Sequence, residues 1–182
     1  MEPISLVIAV FVPVLNAALV LDELHFHLSE QSPRVACRLL IDSQSSDNSV
    51  SRARALGFKV HSIPRTQFNH GGTRQWAVEL LPDADIIVFM TQDAILANAF
   101  ALENLVRAFD DPDVGVAYGR QLPHNDAKPL GSHARLFNYP DKSYVATLAD
   151  RERMGIKAAF SSNSFAAYRR SALMAVGGFP RN

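Results

Sequence analysis

Asp93 follows the strongly apolar stretch Ile86-Ile87-Val88-Phe89-Met90 within a few residues. Burying an isolated ionised carboxylate costs far more than the packing of one strand returns, so Asp93 must reach water, a hydrogen-bond donor or a cation. A second acidic run, Asp42-Ser43-Gln44-Ser45-Ser46-Asp47-Asn48-Ser49, follows another apolar burst; there Asp42 can start an Asx turn with Ser45 and Asp47, and Asp47 can cap a helix. The cationic counterpart is His70-Gly71-Gly72-Thr73-Arg74. Its two glycines permit close backbone approach, and Arg74 offers a planar fork that fits a phosphate or a carboxylate. Taken singly, each stretch also reads as an ordinary turn or N-cap; what gives them weight is being brought to one place.

The elements around them predict that meeting point. Strands are expected over Ser5 to Phe11, Ala36 to Ile41, Phe58 to Ser62, Ile86 to Met90 and Val114 to Tyr118. Between them, Leu21, Leu24 and Leu28 mark one helical face, Trp76, Ala77, Leu80 and Leu81 a second, and Leu102, Leu105, Val106 and Phe109 a third. Pro82 stops the helix after His70, and Asn98 precedes the one that ends near Asp110. This alternation predicts an α/β sandwich of three layers with a mainly parallel sheet. Such sheets bind ligands beyond the carboxyl ends of their strands, and the turn at Pro13 to Asn16, the Asp42 run, the His70 stretch and Thr91-Gln92-Asp93 all follow strands.

Composition bounds the reading. A chain of 182 residues, 48% hydrophobic and 20% charged, is the size of one globular domain. Lys+Arg and Asp+Glu both total 18, so no bulk charge points to nucleic acid. The lone Cys37 excludes an internal disulfide framework and fits a reducing compartment, which makes the cytoplasm the expectation. The apolar run from residue 4 to 21 is interrupted by Pro13 and Asn16 and followed by Asp22 and Glu23, so it reads as strand, turn and helix start rather than a membrane span. There is no Gly-x-Gly-x-x-Gly after the first strand, no P-loop, and no Gly-rich basic loop of the nucleotidyltransferase kind. His124 and His133 lack partners at metal-ligand spacing and read as surface residues.

In order and spacing, "VFVPVLNAALVLDELHFHL", "LLIDSQSSDNSV", "FNHGGTRQWAVE" and "MTQDA" together resemble the family 2 glycosyltransferases of GT-A fold, in particular a bacterial rhamnosyltransferase-like branch. The resemblance covers nearly the whole chain. It implies a nucleoside diphosphate sugar donor, with Pro13, Val14 and Asn16 against the nucleoside, and Asp42 and Ser45 on its base side, Asp42 accepting from a base N–H. It further implies His70, Gly71 and Arg74 at the diphosphate, Gln92 near the sugar, and Asp93 as ligand of a divalent cation, Mg2+ or Mn2+. The chain departs from the branch at Gln75, where Asn is usual, and from the general metal motif at Thr91, where a first carboxylate is usual. His70 also reads as a structural loop residue, and Asp93 as a plain loop carboxylate.

Residues 120 to 155 read as an irregular stretch of Pro, His, Asn and Asp around the aromatic patch Phe137-Asn138-Tyr139-Pro140, suited to a lid or acceptor loop. "KAAFSSNSFAAYRRSALMAVGGFP" resembles the family's strand and helix beside the acceptor, with Asn163 facing sugar and Arg169 or Arg170 meeting phosphate or starting the helix with a salt bridge. The expected organisation is one domain, with a donor half at 1–119 and the start of an acceptor half at 120–182. The general base is expected beyond Asn182, in a longer protein of which this is a truncated form. The implied reaction is inverting transfer of L-rhamnose from dTDP-rhamnose to a saccharide or lipid-linked acceptor, with peripheral membrane attachment of the longer protein left open. A UDP-hexose transferase and a non-catalytic nucleotide-sugar binding module are the alternatives.

Overall fold

The computed structural model describes residues 6–124 and 126–181. The strand expected from Ser5 therefore begins outside the described residues. Six strands form one sheet: β1 (Ile8–Val14), β2 (Cys37–Asp42), β3 (Lys59–Ser62), β4 (Ile86–Met90), β5 (Val116–Tyr118) and β6 (Phe165–Arg169), in the order β3-β2-β1-β4-β6-β5. The β1·β2, β1·β4 and β2·β3 pairs are parallel, whereas β6 runs antiparallel to both β4 and β5. Five strands thus share one direction and β6 alone opposes them.

Helices cover both faces because the strands are apolar on both. On one face Ile8, Val10, Val12 and Val14 of β1 and Ile86, Val88 and Met90 of β4 pack against helices α1 (Leu21–Ser29), α2 (Ser49–Ala55) and α4 (Ala101–Val106). The expected faces Leu21/Leu24/Leu28 and Leu102/Leu105/Val106/Phe109 are all buried there. On the other face Phe11 and Phe89 meet edge to face at 5.7 Å and pack with Ala77, Val78 and Leu81 from and beyond α3 (His70–Leu80), and with Leu173 of α7 (Arg170–Ala175). Truncating either ring to Ala would cost about 3–5 kcal/mol. Three layers result.

Two expectations are corrected. Pro13 lies inside β1, paired with Ile41, not in a turn. The reason lies in the neighbouring strands: Val14 C=O accepts from Ser43 on the β2 side, so Pro13 faces the β4 side, where the β1·β4 ladder has already ended at Phe11·Phe89 and no N–H is needed. Second, the stretch after Arg120 is not irregular throughout. It holds α5 (Pro129–Asn138), α6 (Arg151–Met154) and two short 3-10 turns. α5 starts with Pro129 in its first turn, but Lys128 provides no side-chain cap, so the usual polar start signal is missing.

Candidate functional site

The carboxyl ends of β1, β2 and β4 share one rim, and their loops are joined there by side chains. The Gln92 carboxamide accepts from Leu15 N–H (2.9 Å) and donates to Leu15 C=O (3.3 Å), continuing the β1·β4 ladder past the point where the strands part. Ser45 Oγ accepts from Asn16 N–H (2.8 Å), Asn16 Oδ1 accepts from Ser46 N–H (2.9 Å), and Ser49 Oγ accepts from Ala17 N–H (2.7 Å). Asp47 accepts from Ala18 N–H (3.2 Å) and from Ser49 N–H and Oγ, and these bonds hold its carboxyl below the usual carboxylate range. Asn16 and Gln44 both take left-handed backbone conformations, φ 50° and 66°, in these two loops. Non-glycine residues held this way cluster at functional sites, where neighbouring contacts fix them.

This network engages groups on which the expected roles bear. The N–H groups of Leu15, Asn16, Ala17 and Ala18 all donate internally, so they are not open to a base. Gln92 is a clamp on Leu15, which leaves its second N–H and second lone pair unassigned. Asp42 is 2% exposed and accepts from Gln44 N–H (3.1 Å) and Ser45 N–H (3.2 Å), the Asx turn that its sequence permits.

The third strand delivers α3 to the same rim. Asn69 caps it, accepting from Gly72 N–H at 2.6 Å, and Gln44 Oε1 accepts from Arg65 N–H at 3.1 Å just before it. Arg74 donates to His70 C=O (2.8 Å) and packs with Phe11, Pro13, Phe68, His70 and Thr73 around a narrow cleft that has no room for a water molecule. Burial pushes the Arg74 guanidinium below its ordinary pKa, and Tyr168 nearby opposes the shift. Thr73 Oγ1 is buried in the same cleft and has no hydrogen-bond partner among the described residues.

On the far side of β4, Thr91 N–H donates to Ser164 C=O, which brings Asn163 beside Asp93's loop. Asn163 Oδ1 accepts from the Tyr168 hydroxyl (2.9 Å), a partner the sequence reading missed, and Ser161 Oγ lies 3.1 Å from the same hydroxyl. Beyond them Tyr118 and Tyr144 share a hydrogen bond at 2.6 Å; burial first, then that bond, pushes the Tyr118 hydroxyl far above its ordinary pKa. Arg169 belongs elsewhere. Because β6 is antiparallel, Arg169 pairs with Ile86 at the opposite end of β4, and it donates to the carbonyls of Val114, Phe109 and Asp111 while stacking over Phe109 at 5.4 Å. It ties the lower edge together and is not an acceptor-side residue. Arg170 follows it there, its N–H donating to Asp85 C=O.

Asp93 is exposed and enters no hydrogen bond or ion pair among the described residues, two residues beyond the Thr91 contact and next to the Gln92 clamp. No group of three His, Cys, Asp or Glu forms a metal cage among the described residues. A lone accessible carboxylate fits a hard cation that takes most of its ligands from phosphate oxygens and water, and not one that needs a closed protein cage.

The profile described as "Glycosyl transferase family 2" matches residues 9–177. The chain belongs to that family. It is 46% identical over 176 residues to O-antigen chain rhamnosyltransferase RfbN of Salmonella typhimurium, covering 96% of this chain and 56% of that protein. It is 42% identical over 172 residues to O-antigen chain rhamnosyltransferase WbaN of Salmonella anatum, covering 94% and 55%. The chain therefore spans little more than half the length of these relatives. Among solved structures, a mannosyltransferase from Pyrobaculum calidifontis in complex with GDP-Man and Mn2+ aligns with TM-score 0.63 at 21% identity, covering 96% of this chain and 48% of that one. Glucosyl-3-phosphoglycerate synthase of Mycobacterium tuberculosis aligns with TM-score 0.60 at 21% identity, covering 92% and 59%. At these identities the likeness establishes the fold, which is GT-A.

Proposed function

We propose that this chain forms the donor-binding part of an inverting glycosyltransferase that transfers L-rhamnose from dTDP-rhamnose to a saccharide or lipid-linked acceptor in cell-surface polysaccharide synthesis. What carries the reading is that the loops of Asp93 and Asn163 are joined through Thr91 and Ser164, and that Tyr168, which bonds Asn163, lies near Arg74, all on a family 2 fold. Two rhamnosyltransferase relatives above 40% identity support the donor sugar.

In the proposed reaction an acceptor hydroxyl attacks the anomeric carbon, a new C–O bond forms on the opposite face, and the bond to the diphosphate oxygen breaks with its electron pair leaving on the diphosphate. The acceptor proton goes to a base. Asp42 and the Asn16–Ser46 pairing shape the nucleoside end, with the turn that Asp42 builds presenting its remaining acceptor capacity to a base N–H. Arg74, half-buried, offers its guanidinium fork to the diphosphate next to Gly71 and Gly72. Asp93 would hold Mg2+ or Mn2+, which when bound offsets the negative charge that develops on the leaving diphosphate. Asn163, its oxygen engaged by Tyr168, keeps its NH2 group for a sugar hydroxyl. No described residue is assigned the base; we place it in the length of the relatives that this chain does not span.

Among the described residues no helix is long and apolar enough to cross a membrane. We place the reaction in the cytoplasm, with any attachment to the membrane peripheral. A thermal-shift panel of dTDP, UDP and GDP, each with and without Mn2+, tests the reading. The expected result is the largest stabilisation by dTDP with Mn2+. Preference for UDP would reassign the donor, and no stabilisation by any nucleotide would overturn the proposal.

A further inference from the structure

Gln75 is polar, sits in the middle of α3 and is only 4% exposed. A carboxamide that buried must satisfy its oxygen and its NH2 within the protein. Its Oε1 accepts from Phe179 N–H at 2.9 Å, and its NH2 donates to Glu79 at 3.2 Å. The segment 177–181 is therefore strapped across α3. Two glycines make the fit possible: a Cβ on Gly178, which has φ +76°, would lie 2.0 Å from Gln75 Oε1, and a Cβ on Gly71 would lie 1.8 Å from Pro180 C=O. The strap thus runs from Gln75 back toward the first turn of α3, and its backbone rests on Gly71.

Its side chain reaches the other flank of the site. The Phe179 ring meets Phe89 of β4 at 5.1 Å and Tyr168 of β6 at 5.3 Å, both edge to face. Tyr168 in turn donates to Asn163 and lies near Arg74. The part-buried bond from Phe179 N–H to Gln75, together with the exposed Arg181–Glu79 ion pair, ties down a segment that touches both the opening turn of α3 and the residue that holds Asn163.

We infer that Gln75 is a positioning residue: by latching the 177–181 strap onto α3 it holds the Gly71–Arg74 turn in the shape that receives a diphosphate. The inference rests on the donor-site reading above and adds to it a residue that makes no contact with the nucleotide. The effect is confined to the diphosphate end, because the nucleoside end is fixed separately by the Asn16, Ser45 and Ser46 bonds.

Titration calorimetry at fixed Mn2+ compares dTDP with thymidine, and UDP with uridine, on the wild-type chain and three variants. Gln75→Leu removes the acceptor, Gly178→Ala pushes the strap off from outside the helix, and Arg181→Ala removes the exposed ion pair to Glu79 while leaving Gln75 and its bond in place. The expected result is an approximately tenfold weaker diphosphate for the first two, with the nucleoside unchanged and Arg181→Ala near wild type. Should Gln75→Leu not fold, Gly178→Ala against Arg181→Ala carries the same comparison. A wild-type preference for diphosphate over nucleoside that Gln75→Leu and Gly178→Ala both leave intact overturns the latch alone. A wild-type chain with no such preference overturns the donor-site reading, and the latch with it.

Discussion

Along the rim, Gln92, Ser45, Asn16 and Asp47 join loops 29 to 77 residues apart in sequence, each through a side chain bonded to another loop's backbone. Between 120 and 160, by contrast, α5 buries none of its ten residues, and Leu130 and Phe137 stand 81% and 68% exposed. That segment carries seven Lys or Arg against four Asp or Glu. The rim is held together by its own side chains, so binding at the proposed donor site need not also order its loops. The segment after Arg120 is helical but mostly exposed, and is tied down by contacts such as Arg135 on Gln121 (2.5 Å), Arg120 on Tyr139 C=O (3.1 Å) and Tyr139 against Tyr118.

The sharpest way to break this contrast is Asp93→Ala. It should abolish the Mn2+-dependent part of nucleotide stabilisation in a thermal-shift assay while leaving the melting temperature of the ligand-free protein unchanged, since Asp93 has no hydrogen-bond or ion-pair partner among the described residues. Arg74→Ala should weaken dTDP by about 1.5–3 kcal/mol, the worth of a hydrogen bond to a charged group, and Arg74→Lys should recover only part, because an ammonium cannot reproduce the fork. Calorimetry reads both. Gln92→Ala should lower folding stability by about 1–3 kcal/mol in urea melts, because it leaves the Leu15 N–H and C=O without partners. Such a loss would show that the rim is part of the fold as well as of the site.

Two smaller effects sharpen the other side. Asp47 has a folded-state pKa below its unfolded value, so its contribution to stability is full above the ordinary carboxylate value and fades as pH falls through the depressed one. Asp47→Asn should flatten that part of an acid-unfolding curve. Finally, Leu130→Ser with Phe137→Ser should change the stability of this chain by no more than about 0.5 kcal/mol. A large loss would mean that α5 packs after all.

The sequence reading found β4, the Leu21/Leu24/Leu28 face and the rim loops because each is a local pattern: an apolar run, a helical spacing, a polar stretch after a strand. It misjudged Pro13, since a missing N–H is harmless only where the neighbouring strand has ended, and that is a tertiary fact. Arg169 went to the wrong end because nothing in "FAAYRR" tells a strand's direction. Gln75 and Gln92 were undervalued for a common reason: a carboxamide's worth depends on its partner, and theirs lie 104 and 77 residues away. Tyr168 was missed although its hydrogen-bond partner Asn163 lies only five residues away.

The central claim, that an ion anchored by Asp93 meets a nucleoside diphosphate gripped by the surrounding loops, is tested most directly by anomalous scattering from crystals grown with dTDP and Mn2+. The predicted result is one manganese peak about 2.0–2.6 Å from an Asp93 carboxylate oxygen and from the diphosphate, with Arg74 on the phosphates. Bound dTDP with its manganese away from Asp93, or with its phosphates turned away from Arg74, would contradict it.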